Sequence, residues 1–199
     1  MKRLATILII LCISVSASAD EIYRVARVVD GDTLILEQRR RTIKVRLIGI
    51  DTPEMHDSDK LVEDAERSGE DIRTVKDLGK RSSQFASKLV KNRMVRLEYG
   101  GERHDRHGRT LAYVFFRMTD KEFADKTGQR FPKRQAPEVR EYLLNRAMVE
   151  YGYAFAYTKF PFTYRKEFIR LQGKAREQGL GLWGRDGRGR DMRRLSAGE

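Results

Sequence analysis

Cysteine is almost absent from this sequence of 199 residues, and the single one, Cys12, lies in an apolar N-terminal stretch. A mature chain without this stretch would have no disulfide, no cysteine-ligated zinc and no thiol nucleophile. A long hydrophobic run is lacking as well. The apolar stretch of residues 4–15 is shorter than the roughly 20 residues that a membrane-spanning helix needs.

The N-terminal stretch has the three parts of a signal peptide. Lys2 and Arg3 form a basic start, the apolar stretch follows, and the Ala-Ser-Ala of residues 17–19 provides a small-x-small cleavage pattern. We therefore expect residues 1–19 to be a cleaved signal peptide. The protein is then secreted or periplasmic, with no stable membrane anchor. An uncleaved anchor is the alternative.

Acidic residues are in deficit. The chain has 41 Lys and Arg against 29 Asp and Glu, and removal of Lys2 and Arg3 leaves 39 basic residues and a net charge of +10. A soluble exported protein this basic is expected to bind a polyanion. Nucleic acid and an anionic cell surface both satisfy that expectation, and charge does not distinguish them.

Apolar alternation predicts a mainly β fold with some helix. The predicted strands cover residues 23–29, 33–36, 43–49, 95–99 and 109–118, and a helix covers 76–91. Five strands with a helix between the third and the fourth is the connectivity of an OB-fold barrel. We therefore expect an α+β protein, a five-stranded OB-fold barrel with about three helices, over residues 20–183.

The remaining segments are predicted from composition and turn residues. The acidic residues 55–75 indicate a long solvated loop, with a cation site as the alternative. Residues 119–136 are predicted to be a polar insertion. Helices are expected to begin at Pro137 and near Thr163. The basic tail, residues 184–199, is expected to be disordered.

Two acidic clusters follow predicted strands. In Asp30-Gly31-Asp32-Thr33 the glycine permits a tight turn, which can direct both carboxylates to one side; a plain hairpin turn is the alternative. In the second cluster an arginine within a strand, Arg46, precedes Asp51-Thr52-Pro53-Glu54, where the proline keeps the backbone rigid and extended. The carboxylates of Asp32 and Asp51 and the Thr52 carbonyl are hard oxygen ligands suited to Ca²⁺ or Mg²⁺.

A third cluster is basic. Asp105-Arg106-His107-Gly108-Arg109 forms a turn that leads into the strand Thr110-Leu111-Ala112-Tyr113. An exposed basic hairpin tip is the alternative to a phosphate-binding role.

These three clusters, in this order, resemble the staphylococcal nuclease (thermonuclease) family. The resemblance extends over about residues 23–183 and rests on Asp-Gly-Asp-Thr, Arg-Leu-Ile-Gly-Ile-Asp-Thr-Pro-Glu and Asp-Arg-His-Gly-Arg-Thr-Leu-Ala-Tyr. The acidic segment of residues 55–75 is longer than the corresponding segment in the family's best-known member, and the insertion at 119–136 has no counterpart there.

The resemblance implies a role for each matching position. Asp32, Asp51 and the Thr52 carbonyl would hold a catalytic Ca²⁺, and Glu54 would orient or deprotonate the attacking water. Arg46 and Arg109 would bind the scissile phosphate. Further substrate contacts are implied for Arg106, for His107, which replaces a tyrosine of the family, and for Tyr153, although the aromatic residues around Tyr153 also suit a core.

The implied function is that of an exported, monomeric, Ca²⁺-dependent endonuclease that hydrolyses DNA and RNA with little sequence preference. A non-catalytic nucleic-acid-binding module on the same barrel is the alternative. The joint presence of Asp32, Asp51, Glu54, Arg46 and Arg109 favours the enzyme. Adhesion to an anionic surface would explain the charge but not this set of residues.

Overall fold

The computed structural model describes residues 21–184. The predicted signal peptide and all but the first residue of the predicted tail lie outside this range. The described part contains eight strands, five α-helices and one 3₁₀-helix. In chain order they are β1 (Ile22–Asp30), β2 (Thr33–Gln38), β3 (Arg41–Leu47), β4 (Ile50–Asp51), α1 (Asp59–Ser68), α2 (Ile72–Val90), β5 (Met94–His104), β6 (Thr110–Thr119), α3 (Asp120–Thr127), β7 (Val139–Leu143), α4 (Leu144–Glu150), β8 (Phe155–Ala156), α5 (Arg165–Glu177) and the 3₁₀-helix Gly181–Trp183.

Five of the strands form the predicted closed barrel. The antiparallel order is β3-β2-β1-β5-β6, and a parallel pairing of β3 with β6, with Val45 opposite Thr110, closes the ring. Along β1 the buried Tyr23 and Val25 alternate with exposed Ile22 and Arg24, as expected for a strand with one face toward the core. The predicted α+β fold class and OB-fold barrel are thus confirmed, with five α-helices rather than about three.

The prediction of a solvated loop over residues 55–75 was wrong. Most of these residues form α1 and the beginning of α2. The side chain of Ser58 caps α1 by accepting from the Leu61 N–H, and Gly69 ends the helix in the left-handed conformation. Two of the three buried residues of α1, Asp64 and Ser68, are polar, so an apolar pattern could not reveal the helix.

The segment after β6 also differs from the prediction. The polar insertion contains the short helix α3, and the expected helix start at Pro137 was wrong because β7 comes first and α4 begins only at Leu144. Val139 and Leu143 are four residues apart, a spacing that fits one face of a strand as well as one face of a helix. β7 pairs with the second half of β6, Phe115 opposite Leu143, whereas β3 pairs with its first half.

One apolar cluster fills the barrel and continues between it and the helices α2, α4 and α5. A buried polar residue, Asn145 of α4, crosses this core. Its Nδ2 donates to the Ile48 carbonyl at 2.9 Å, and its Oδ1 accepts from the Val114 N–H at 3.0 Å. Asn145 thereby fixes the chain where it leaves β3, just before the acidic cluster that follows. None of the helices in residues 21–184 is long and apolar enough to cross a membrane.

Candidate active site

Asp32 lies at the turn between β1 and β2, where its side chain is buried. Its Oδ2 accepts hydrogen bonds from the main-chain N–H and the hydroxyl of Thr52, both at 3.0 Å, and its Oδ1 accepts from the Thr33 hydroxyl at 3.0 Å. These bonds join the first acidic cluster to the second, which lies some twenty residues later.

Two glycines allow the acidic turns to pack against α2. A Cβ on Gly31 would lie 2.7 Å from both the Ser82 Cβ of α2 and the Thr52 Cγ2. A Cβ on Gly79 of α2 would lie 2.6 Å from the Pro53 carbonyl oxygen. Any larger side chain would therefore push the turns that carry the carboxylates away from the helix.

Arg46, near the end of β3, binds both predicted metal-ligand carboxylates. Its Nη1 lies 2.7 Å from Asp32 Oδ2, and its Nη2 donates to Asp51 Oδ1 at 2.9 Å. The Nη1 contact is an ion pair without hydrogen-bond geometry, and this buried nitrogen has no hydrogen-bond partner within residues 21–184. The two carboxylates thus hold the guanidinium at the end of β3.

The charges around Arg46 determine which groups ionise. Burial acts to lower the pKa of Arg46, but Asp32 and Asp51 outweigh it and raise the pKa. Burial acts to raise the pKa of Asp32, but Arg46 and Lys60 lower it. Burial and the neighbouring Asp32 carboxylate raise the pKa of Asp30 to about 7. Asp32 therefore carries the charge of this carboxyl pair, and Asp30 retains its proton more readily.

Lys60 is a residue of this site that the sequence prediction missed. From the first turn of α1 its ammonium donates to the Thr52 carbonyl at 2.7 Å and lies 3.4 Å from Asp51 Oδ1 and 3.6 Å from Asp64 Oδ2. Burial acts to lower the pKa of Lys60, but Asp51, Asp32 and Asp64 raise it, so the side chain is cationic. The signals that could have revealed it were the Ser58 cap and the Lys60–Asp64 spacing of four residues.

Two of the predicted metal ligands contact a positively charged side chain of the protein. No group of three or more His, Cys, Asp or Glu side chains that could hold a metal is found in residues 21–184. The predicted set consists of two carboxylates and one main-chain carbonyl, and two of its members, Asp51 and the Thr52 carbonyl, lie around the Lys60 ammonium. Hard oxygens that hold an ammonium fit a hard cation such as Ca²⁺.

Glu54 follows these ligands in the chain. Its Oε1 accepts from the main-chain N–H groups of Met55 and His56 at 2.8 and 2.9 Å. Its own N–H donates to Oδ2 of the buried Asp64 at 3.1 Å, so α1 also holds the backbone at this position.

The basic cluster forms a hairpin turn between β5 and β6. Asp105 Oδ1 accepts from the N–H groups of His107 and Arg109, and its Oδ2 binds Arg109 Nε at 2.6 Å. Arg106 Nε donates to the exposed His107 ring at 3.1 Å. Because Arg46 lies opposite Leu111 in the parallel β3–β6 pairing, Arg109 precedes β6 close to the end of β3. The topology thus brings together the strand ends that carry the two arginines.

The aromatic residues near β8 have two different surroundings. Tyr153 stacks on Phe85 of α2 with ring centroids 4.1 Å apart, contacts that a core role explains, and its substrate role stays a prediction. β8 pairs with β4, so that Phe155 lies opposite Asp51. Tyr157 follows, donates its N–H to the Gly49 carbonyl at 2.9 Å and contributes to the raised pKa of Arg46. Tyr157 therefore interacts with Arg46, whereas the contacts of Tyr153 are with the core.

Known proteins resemble this chain over shares that range from about half to most of its length. A thermonuclease of Staphylococcus intermedius is 42% identical over 95 residues, 48% of this chain and 49% of that protein. A micrococcal nuclease of Shigella flexneri is 30% identical over 175 residues, 88% of this chain and 80% of that protein. An uncharacterised protein of Methanocaldococcus jannaschii is 30% identical over 165 residues, 80% of this chain and 70% of that protein.

The chain thus spans about half the length of the thermonuclease and larger shares of the other two relatives. The family model described as staphylococcal nuclease homologue matches residues 44–185, which include the second and third motifs. With a match over more than half of its length, the chain belongs to the staphylococcal nuclease family.

Proposed function

We propose that this member of the nuclease family is an exported, Ca²⁺-dependent endonuclease that hydrolyses phosphodiester bonds in DNA and RNA with little sequence preference. The observation that carries the proposal is the contact of buried Arg46 with both Asp32 and Asp51, of which Asp32 also accepts from the Thr52 N–H. A guanidinium suited to phosphate and carboxylates suited to a hard cation thus contact one another. The basic net charge supports a polyanionic substrate.

The proposed metal ligands are Asp32, Asp51 and the Thr52 carbonyl. When bound, Ca²⁺ would supply a Lewis acid that polarises a phosphoryl oxygen and positions water. Thr52 fixes Asp32 by two hydrogen bonds, which orients the carboxylate before a cation arrives. Such preorganisation lowers the reorganisation that binding requires.

Arg46 and Arg109 are proposed to bind the scissile phosphate. A guanidinium presents paired donors that match two phosphate oxygens, which an ammonium does less well. The position of Arg46 supports this role, because its guanidinium lies beside the proposed metal ligands Asp32 and Asp51. As negative charge grows on the phosphoryl oxygens, both arginines would stabilise it.

Glu54 is proposed to orient the attacking water or to accept its proton. The two main-chain N–H groups that hold Oε1 orient the carboxylate, and Oε2 is the oxygen proposed for the water. Arg106, His107 and Tyr153 are proposed to contact the substrate beyond the scissile phosphate, the first two from the exposed hairpin turn.

A digestion assay tests this function. We expect cleavage of both DNA and RNA with Ca²⁺ and none in excess chelator. Asp51→Asn, which removes one ligand charge, should weaken Ca²⁺ binding at least about tenfold while the chain stays folded. Asp77→Asn is a matched charge change, because it also removes one carboxylate charge and Asp77 is exposed, with an ion pair only to Lys80 in the described part of the chain. Full activity in chelator would refute the metal requirement, and binding without cleavage under all conditions would favour the non-catalytic module.

Export is tested separately. The mature protein isolated from its native host should begin near Asp20, with residues 1–19 absent. An intact Met1 on a membrane-bound product would instead identify residues 1–19 as an anchor.

A further inference from the structure

Lys60 occupies a position for which the proposed function gives no role. Its ammonium contacts the Thr52 carbonyl at 2.7 Å and Asp51 Oδ1 at 3.4 Å, which are two of the three proposed metal ligands. The third ligand, Asp32, interacts with Lys60 electrostatically. One side chain of the protein thus lies among the oxygens that a divalent cation would need.

The charges of the cluster explain why a cation is required there. Four carboxyl groups, those of Asp30, Asp32, Asp51 and Asp64, meet three cations: Arg46, Lys60 and Arg67, of which Arg67 pairs with Asp64. Without Lys60 the oxygens of Asp51 and Thr52 would lose the positive charge that lies between them, in a partly buried environment where unbalanced charge is costly.

Helix α1 determines how Lys60 can move. The main chain of Lys60 is fixed in the first turn of a helix that begins at the Ser58 cap and is held to the acidic turn by Asp64, which accepts from the Glu54 N–H. The side chain itself is 38% exposed, and four rotatable bonds separate its ammonium from the backbone. The ammonium can therefore leave the oxygens for solvent while α1 stays in place.

We propose that the Lys60 ammonium holds the metal-ligand oxygens together in the metal-free protein and is displaced when a divalent metal binds. Because α1 positions Lys60, this helix then sets the metal concentration at which the site is half occupied. The inference rests on the proposal that Asp32, Asp51 and the Thr52 carbonyl bind a divalent metal. An ammonium and a divalent ion cannot share these oxygens, because like charges in contact repel strongly where water is partly excluded.

Chemical labelling of the wild-type protein observes the displacement directly. Brief acetylation with acetic anhydride, followed by mass spectrometry, measures the reactivity of each lysine with and without Ca²⁺. We expect Lys60 to be acetylated slowly in the metal-free protein and at least about fivefold faster when Ca²⁺ is bound. Lys76 and Lys80 of α2 pair with the exposed Asp57 and Asp77, respectively, and should react equally in both states.

Substitution measures the competition. Lys60→Met keeps the length of the side chain but removes the charge. Calorimetric titration should show Ca²⁺ binding at least about fivefold tighter than in wild type, and the metal-free variant should melt about 2–4 °C lower. Lys76→Met removes one positive charge from the neighbouring helix and should change neither value, which separates displacement from a general charge effect. Lys60→Gln provides a second neutral variant if the methionine variant folds poorly.

The outcomes separate this inference from the proposed function. If wild type binds Ca²⁺ but Lys60 reactivity and the affinity of Lys60→Met are unchanged, the displacement is refuted and the metal site remains. Weaker Ca²⁺ binding by Lys60→Met would also refute it, because Lys60 would then assist the metal rather than compete. If wild type binds no divalent cation, both the metal requirement and the displacement are refuted.

Discussion

The two arginines proposed to bind phosphate lie in different surroundings. Arg46 is buried and held by two carboxylates, Asp32 and Asp51, that come from different turns of the barrel. Arg109 is partly exposed and held by Asp105, four residues earlier in the same hairpin turn. The first arrangement depends on the tertiary structure, and the second is local.

This difference predicts different consequences of substitution. Removing the buried guanidinium leaves Asp32 without its ion-pair partner and Asp51 with Lys60 alone, so a change at Arg46 is expected to affect stability as well as function. A change at Arg109 leaves one carboxylate that retains the hydrogen bonds from the N–H groups of His107 and Arg109, and the barrel is not involved. Arg109 therefore allows a cleaner test of phosphate binding than Arg46 does.

The largest expected effect is on turnover. Arg46→Lys and Arg109→Lys keep the charge but lose the paired donors. Each should slow single-turnover cleavage at least a hundredfold, on the order of 3 kcal/mol, as loss of a preorganised charge stabiliser does. Substrate affinity should fall much less, because the other basic residues still attract the polyanion.

Thermal unfolding of the same variants sharpens the contrast. Arg46→Lys should lower the melting temperature, and Arg109→Lys should leave it nearly unchanged. Equal melting temperatures would show that the burial of Arg46 has no energetic consequence. Cleavage at the wild-type rate by either variant would remove that arginine from the proposed mechanism.

A smaller effect, on stability, is expected from a change in the packing of α2 against the acidic turn that carries Asp51, one of the two partners of Arg46. Gly79→Ala places a methyl group 2.6 Å from the Pro53 carbonyl oxygen, a main-chain atom that cannot move by a simple rotamer change. We expect a net loss of about 1–3 kcal/mol in the free energy of unfolding, as overpacking typically causes. Chemical denaturation measures it.

Gly173→Ala on α5 is the matched control. A Cβ at Gly173 meets nothing within 4 Å, so the higher helix propensity of alanine should stabilise the protein by about 0.5–1 kcal/mol. If Gly79→Ala is also stabilising, the close approach of α2 to the acidic turn is not tight enough to position it.

The smallest expected effect is the contribution of Asp105, the partner of Arg109, to the pH dependence of stability. Burial acts to raise the pKa of Asp105, but hydrogen bonds from Arg109 and His107 outweigh it and lower the pKa. A carboxyl group with a lowered folded-state pKa stabilises the fold above its unfolded pKa, near 3.9. This stabilisation is lost as the pH falls through the folded-state value.

Wild type and Asp105→Asn should therefore differ most at neutral pH and converge in acid. The difference should be below about 1 kcal/mol, as is usual for a partly exposed pair. Denaturation curves for both proteins at pH 7 and at acidic pH measure it, because the other carboxylates cancel in the difference. A difference that grows on acidification would mean that Asp105 is not stabilised as an anion.

Part of this molecule could be predicted from the sequence because the signals are local. The barrel strands follow period-two patterns, and the three motifs carry Asp32, Arg46, Asp51, Thr52, Glu54 and Arg109 in an order that identifies the family. The error over residues 55–75 arose because α1 buries mainly polar side chains. The error at Pro137 arose because the four-residue spacing of Val139 and Leu143, the apolar residues that follow it, fits either a strand or a helix.

The sequence by itself thus determined the barrel class, the family and the chemical types of the candidate site residues. Only the tertiary structure decided which of these residues touch. It brings Asp32 to Thr52, aligns Arg46 with two carboxylates and places Lys60 among the oxygens. The physical reason is that these contacts join turns and helices far apart in the chain. Barrel closure and the packing of α1 and α2 create such contacts, and no local pattern of residues records them.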